Sequence, residues 1–200
     1  MNQKIKSALF FISTCAISTV ATAHIGLDNH EHTGFLIGFL HPIGGLDHLA
    51  AMVAVGLWSA LTARRAGPEL LWGPLCFASM LLAGALIGLQ GITITAVEPM
   101  IAASLLVTGL LVIGRLRVSG IAAALIVGLF AVFHGLAHGY ELASSPSAFQ
   151  TLAGMLTATL MLHATGLALG WALRSTSVWV PRIAGAAVAL SGGVMLLQLA

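Results

Sequence analysis

Apolar residues recur along the chain in six runs of membrane length, roughly 35–61, 70–90, 97–114, 119–141, 149–173 and 183–199. As helices, runs of this length cross a hydrocarbon layer of about 30 Å, so the pattern predicts six transmembrane helices. The connections Thr62–Glu69, Gly91–Ala96, Arg115–Val118, Leu142–Ala148 and Arg174–Arg182 are short, which makes consecutive helices antiparallel neighbours. An earlier apolar stretch, Ala8–Val20, is too short to span. Lys4 and Lys6 precede it and Ala21-Thr22-Ala23 follows it, the pattern of a secretory signal peptide with a small-x-small cleavage site. Residues 1–23 are therefore expected to be removed, leaving 24–200 as a single six-helix transmembrane domain.

The polar positions between the runs orient it. Arg64 and Arg65 follow the first run, Arg115 and Arg117 the third, and Arg174 and Arg182 flank the connection after the fifth. The other two connections carry no Lys or Arg. If the six helices alternate, every basic residue of the mature chain falls on one side, which the positive-inside rule makes cytoplasmic. The mature N-terminus is then periplasmic, in agreement with a cleaved signal. The expected fold is all-α: a polytopic protein of the bacterial inner membrane, with six transmembrane helices and both termini periplasmic.

Composition strengthens this picture. The chain is 58% hydrophobic and 7% charged, with a mean hydropathy of +1.03, against about 25% charged residues in soluble domains. Its 23 glycines suit close helix packing in lipid. The net charge of +2 is spread in scattered pairs, so no basic patch points to nucleic acid. Of the two cysteines, Cys15 lies in the expected signal peptide and Cys76 in the second run, which leaves neither a disulfide nor a thiolate metal site to expect.

Against this apolar background the chemistry stands out. The first run contains Gly38-Phe39-Leu40-His41-Pro42-Ile43-Gly44-Gly45-Leu46-Asp47-His48. An Asp at the centre of a span costs about 2.5–3.5 kcal/mol on insertion scales, so it calls for a partner. Pro42 removes a backbone donor and crowds the preceding turn, and Gly44-Gly45 favours local unwinding. Broken helices of this kind hold ions in transporters. His41 and His48 share a face only if the helix stays regular. The fourth run contains Phe133-His134-Gly135-Leu136-Ala137-His138-Gly139-Tyr140-Glu141. There His134 and His138 are i,i+4 on one stripe, a spacing suited to a divalent metal, and Glu141 continues the stripe. His163 lies mid-way along the fifth run, either as an interhelical hydrogen bonder or as part of the path. Glu98 beside Pro99 is expected to cap the third helix. The mature start carries His24, His30, Glu31 and His32. Under the expected topology all the histidines occupy the periplasmic half or mid-depth, and mark a path from the periplasm to a buried site.

Imidazole with carboxylate and no thiolate selects borderline divalent ions such as nickel, cobalt, zinc or iron(II). The candidate metal ligands are His41, Asp47, His48, His134, His138 and Glu141, with His24, His30, His32 and His163 as further ligand or pathway residues. An intramembrane enzyme is not expected: His-Glu-x-x-His is absent, and neither Ser104 nor Ser191 has a nucleophile-elbow setting. A bis-histidine haem subunit and a metal sensor that does not transport are the other readings of the same residues. The histidine-bearing first and fourth runs lead the two halves of the chain in opposite orientations, which suggests an inverted repeat.

The two long motifs, His41-Pro42 through Asp47-His48-Leu49-Ala50-Ala51-Met52 and on to Trp58, and Phe133 through Glu141, resemble those of the HupE/UreJ family of hydrogenase and urease accessory membrane proteins, proposed nickel permeases. The resemblance covers essentially the whole chain. It implies uptake of Ni(II), or of Co(II), across the inner membrane for metalloenzyme assembly. The ion would be a transported substrate and not a permanently bound cofactor, and hydrogenase or urease maturation proteins would be partners. The motif residues of the family carry over to His41, Asp47, His48, His134, His138 and Glu141.

Overall fold

The computed structural model describes residues 34–199. The expected signal peptide and His24, His30, Glu31 and His32 lie outside the described residues. Among the described residues seven α-helices follow one another: α1 Phe35–Gly44, α2 Leu46–Thr62, α3 Trp72–Gly88, α4 Val97–Gly114, α5 Gly120–Glu141, α6 Ala148–Leu173 and α7 Trp179–Gln198. A 3-10 turn, Pro68–Leu70, precedes α3. Helices α4 to α7 are each long and apolar enough to cross a membrane, and α1 with α2 forms a fifth candidate, bent by 79°. Their outward faces are apolar, with Ile121, Leu125, Phe149, Leu190 and Leu197 largely exposed. A surface of that kind is stable in lipid and not in water, so the chain is a multi-pass membrane protein.

Helix ends follow the local chemistry. Ser119 caps α5, its side chain accepting from the Ala122 amide at 3.2 Å. Two features of the helix ends differ from the sequence expectation by more than a residue or two. The last helix begins at Trp179, not near 183, and takes Pro181 and Arg182 into its first turn. Proline is tolerated there because the first amides of a helix have no intrahelical acceptor. Glu98 lies in the first turn of α4 but makes no capping hydrogen bond, so the expected cap is not formed. The favourable end of the helix dipole remains its local role.

The helices are held by direct backbone contact at glycines. Gly166 of α6 rests on the Val53 carbonyl and Leu57 amide of α2, while Gly56 of α2 rests on the His163 carbonyl and Leu167 amide of α6. The same contacts recur elsewhere. Gly84 of α3 rests on the Val132 carbonyl and Leu136 amide of α5, and Gly135 of α5 on the Leu81 carbonyl and Ala85 amide of α3. At each of these places a Cβ would overlap the neighbour's backbone. Small residues permit such close approach, which is what drives helix association in lipid.

Residue numbers rise together across both seams, so α2 runs parallel to α6 and α3 parallel to α5. In the third seam they run oppositely: Gly109 of α4 meets Gly185 and Ala189 of α7, and Gly192 of α7 meets Ala102 and Leu106 of α4. Exchanging α1–α2 with α5, α3 with α6 and α4 with α7 maps this set of contacts onto itself. That is the contact pattern of an inverted repeat. A core of Met52, Val55, Trp58, Phe77, Leu81, Val112, Val127 and Ala131 fills the space between the seams.

Gly135→Val should loosen the α3–α5 seam by about 1–3 kcal/mol, the usual cost of overpacking. Gly193→Ala, where a Cβ meets nothing within 4 Å, should leave stability unchanged or slightly raised. Thermal unfolding of the two variants in detergent measures the difference.

Candidate metal centre

The site begins at the break in the first apolar run. Gly45 leaves the helix with φ −83° and ψ 114°, and the chain turns there between α1 and α2. The unwinding is confined to this junction: the Gly45 amide still donates to the His41 carbonyl at 3.0 Å, and the Gly45 carbonyl accepts from Leu49 at 2.9 Å. His41 therefore ends one arm while His48 begins the other, and their rings meet edge-on with centroids 5.2 Å apart. A side chain at 45 would crowd the pair, since its Cβ would lie 3.0 Å from His48 Nδ1 and 3.1 Å from Asp47 Oδ1. Asp47 sits in the first turn of α2, where the helix dipole favours a carboxylate.

Helix α5 supplies the facing wall. Its i,i+4 register carries His134 and His138 inward, and both are buried. The α3–α5 seam fixes the helix in place. His138 Nε2 approaches His48 Nε2 to 2.7 Å, and the His41 and His138 rings are 4.8 Å apart. One nitrogen each from His41, His48 and His138 fall within 4.8 Å of one another. Three imidazoles from two halves of the chain thus converge on one small volume.

The two carboxylates stand behind the rings. Asp47 Oδ1 is 2.9 Å from His48 Nδ1, close enough to pair but off the line of a hydrogen bond, since that nitrogen has no bonded partner among the described residues. Glu141 Oε2 is 3.3 Å from His138 Nδ1. A carboxylate on one imidazole nitrogen fixes the tautomer and raises the basicity of the other, the arrangement common behind metal-bound histidines. Asp47 and Glu141 thus fall outside the three-nitrogen group.

His134 and His163 lie next to the group and outside it. His134 Nδ1 donates to the Phe130 carbonyl of its own helix at 3.2 Å, and its ring is 5.6 Å from that of His48. His163 Nδ1 donates to the Met52 carbonyl at 2.7 Å, tying α6 to α2. The Nε2 of each is buried without a partner among the described residues. Phe77 packs between them, 5.8 Å from His134 and 5.1 Å from His163. Nothing in the apolar pattern around Phe77 marks it as different from other lipid-span residues.

Both histidine motifs fall inside the segment 12–196 that matches a family model described as "HupE / UreJ protein". The chain belongs to the HupE/UreJ family. Within the family, Protein HupE of Rhizobium leguminosarum bv. viciae is 39% identical over 188 residues, covering 92% of this chain and 94% of that protein. No solved structure matches the chain. For this HupE/UreJ member, the likeness over nearly the full length of both chains agrees with the resemblance drawn from the two motifs.

Titration calorimetry with Ni(II) on the detergent-solubilised protein separates the roles. His48→Ala should abolish tight binding. Asp47→Asn should weaken it about 10–100-fold through the supported ring. His163→Gln should leave affinity near wild type while lowering the unfolding temperature.

Proposed function

We propose that the protein is a secondary permease that admits a divalent transition metal, Ni(II) foremost and Co(II) as the alternative, across the bacterial inner membrane. The observation that carries the reading is the convergence of His41, His48 and His138, from the broken first span and from α5, at ligating distance of one another. A three-imidazole set with carboxylates behind it suits borderline divalent ions. Ionisable groups inside a membrane bundle mark ion paths.

The reading takes α1–α2 as one interrupted crossing and α3 as another. At 17 residues, α3 meets the lower end of the spanning range of about 17–25. The six crossings then alternate, an order that agrees with the parallel and antiparallel seams. Arg64, Arg65, Arg115, Arg117, Arg174 and Arg182 face the cytoplasm, and the histidine end faces the periplasm. His24, His30 and His32 at the mature start would collect the ion outside, and His134 and His163 would continue the path inward. An inside-negative potential draws a dication in. Delivery of nickel to hydrogenase or urease maturation follows from the family resemblance.

Radioactive nickel uptake in cells lacking their own high-affinity nickel transporters tests this. At matched membrane expression, the wild type should accumulate nickel and His41→Ala, Asp47→Asn and His138→Ala should not. Uptake should fall as external pH drops through the imidazole range, because a protonated ring cannot ligate. Excess cobalt should compete more strongly than iron. Uptake of a competitor without nickel would move the assignment to that ion. Metal binding without any flux would favour a sensor.

A further inference from the structure

The inverted repeat assigns a counterpart to every residue of the metal centre. The glycine seams pair Val53 with Val132, Gly56 with Gly135 and Leu57 with Leu136. Carried along the helices in the same register, His138 corresponds to Ser59, Glu141 to Thr62 and His41 to Gly120, while His48 corresponds to the core residue Val127. The first three counterparts do not merely fall at the opposite, arginine-bearing end. All three line one cavity of about 260 Å³ there. The counterparts of His41, His138 and Glu141 therefore line a cavity at the other end, where the position of His48 is taken by the apolar side chain of Val127.

The cavity has its own chemistry. Ser59 and Thr62 supply hydroxyl oxygens and Glu69 a carboxylate, with Arg64 and Trp58 also on the wall. Thr62 Oγ1 donates its proton to the Trp58 carbonyl at 2.8 Å, so its lone pairs remain free. The Trp58 indole donates to the Leu116 carbonyl at 2.9 Å, holding the Arg115–Val118 connection beside the cavity. Among the described residues, Arg64 is the one cation lining the cavity. No imidazole or thiolate among the described residues lines it. For a borderline divalent ion these oxygens are weaker donors than three nitrogens.

We infer that this cavity is the cytoplasmic exit of the metal path, where Ser59, Thr62 and Glu69 receive a divalent cation given up by the histidine group. The inference rests on the permease reading and deepens it. Inverted repeats carry alternating access because each half presents the same path to the opposite side. Here the two ends of that path differ in affinity: nitrogen donors capture at one end, and oxygen donors release at the other.

Vesicles test it. Cys15 and Cys76 are replaced by alanine, and Thr62→Cys or Ser59→Cys is introduced into the full chain. A membrane-impermeant maleimide is applied to inside-out and to right-side-out vesicles, and nickel flux is measured across the same vesicles before and after labelling. The expected result is labelling from the cytoplasmic face only, with loss of most of the flux that each variant shows beforehand. Labelling from the opposite face, no labelling from either face, or labelling that leaves flux intact overturns the inference and leaves the permease reading standing. If the unsubstituted protein moves neither nickel nor any other divalent ion, the permease reading falls and the inference falls with it.

Discussion

The approach of His48 Nε2 to His138 Nε2 at 2.7 Å, between residues 90 positions apart, is the contact on which the rest of the molecule turns. A buried polar nitrogen without a partner is costly in an apolar bundle. The two rings answer this for one another, and three such rings make a centre fit for a cation. The approach requires two things of the scaffold. The first span must break, so that His41 and His48 come from different arms, and Gly45 provides the break. The span of His138 must be held in register, and Gly135 and Gly139 provide that by lying against the Leu81 and Ala85 carbonyls. Glycines next to each histidine of α5 are thus part of the site, since they decide where the imidazoles stand.

One scaffold used twice with different side chains is the second theme. The seams of α2 with α6 and of α3 with α5 are geometrically alike, down to which carbonyl and which amide each glycine meets. What differs is the cargo of the helices. One copy carries imidazoles and carboxylates, and its counterpart carries Ser59, Thr62 and Gly120. Packing sets the symmetry of the scaffold, while the side chains set the chemistry at each end.

Much of this was legible in the chain. The run 97–114 coincides with α4, and 119–141 and 149–173 differ from α5 and α6 by one residue at the start, because long apolar segments bounded by Arg, Ser and Pro leave little choice of ends. The break at Gly44-Gly45 was visible because two adjacent glycines after a proline have no other use in a span. The histidine pairs were visible because imidazoles stand out among apolar residues. Other features were not. That Asp47 and Glu141 stand behind rings depends on rotamers and on the angle of the bend, which spacing does not encode. Phe77 between His134 and His163 is one phenylalanine among many apolar residues. The start of the last helix at Trp179 was hidden by Pro181, which reads as a breaker although it sits where a helix tolerates it. The repeat was suggested only by the placement of the histidine-bearing runs, and its register emerged from backbone contacts between glycines that look alike in the sequence.

X-ray absorption at the nickel edge of the loaded protein is the most direct test of the central claim, that three imidazoles from two halves of the chain form one metal centre. The account predicts a first shell with the scattering pattern of three imidazoles, reduced to two in His41→Ala and in His138→Ala. Asp47→Asn should keep all three. A shell of oxygen alone, or a histidine count unchanged in both alanine variants, would contradict it.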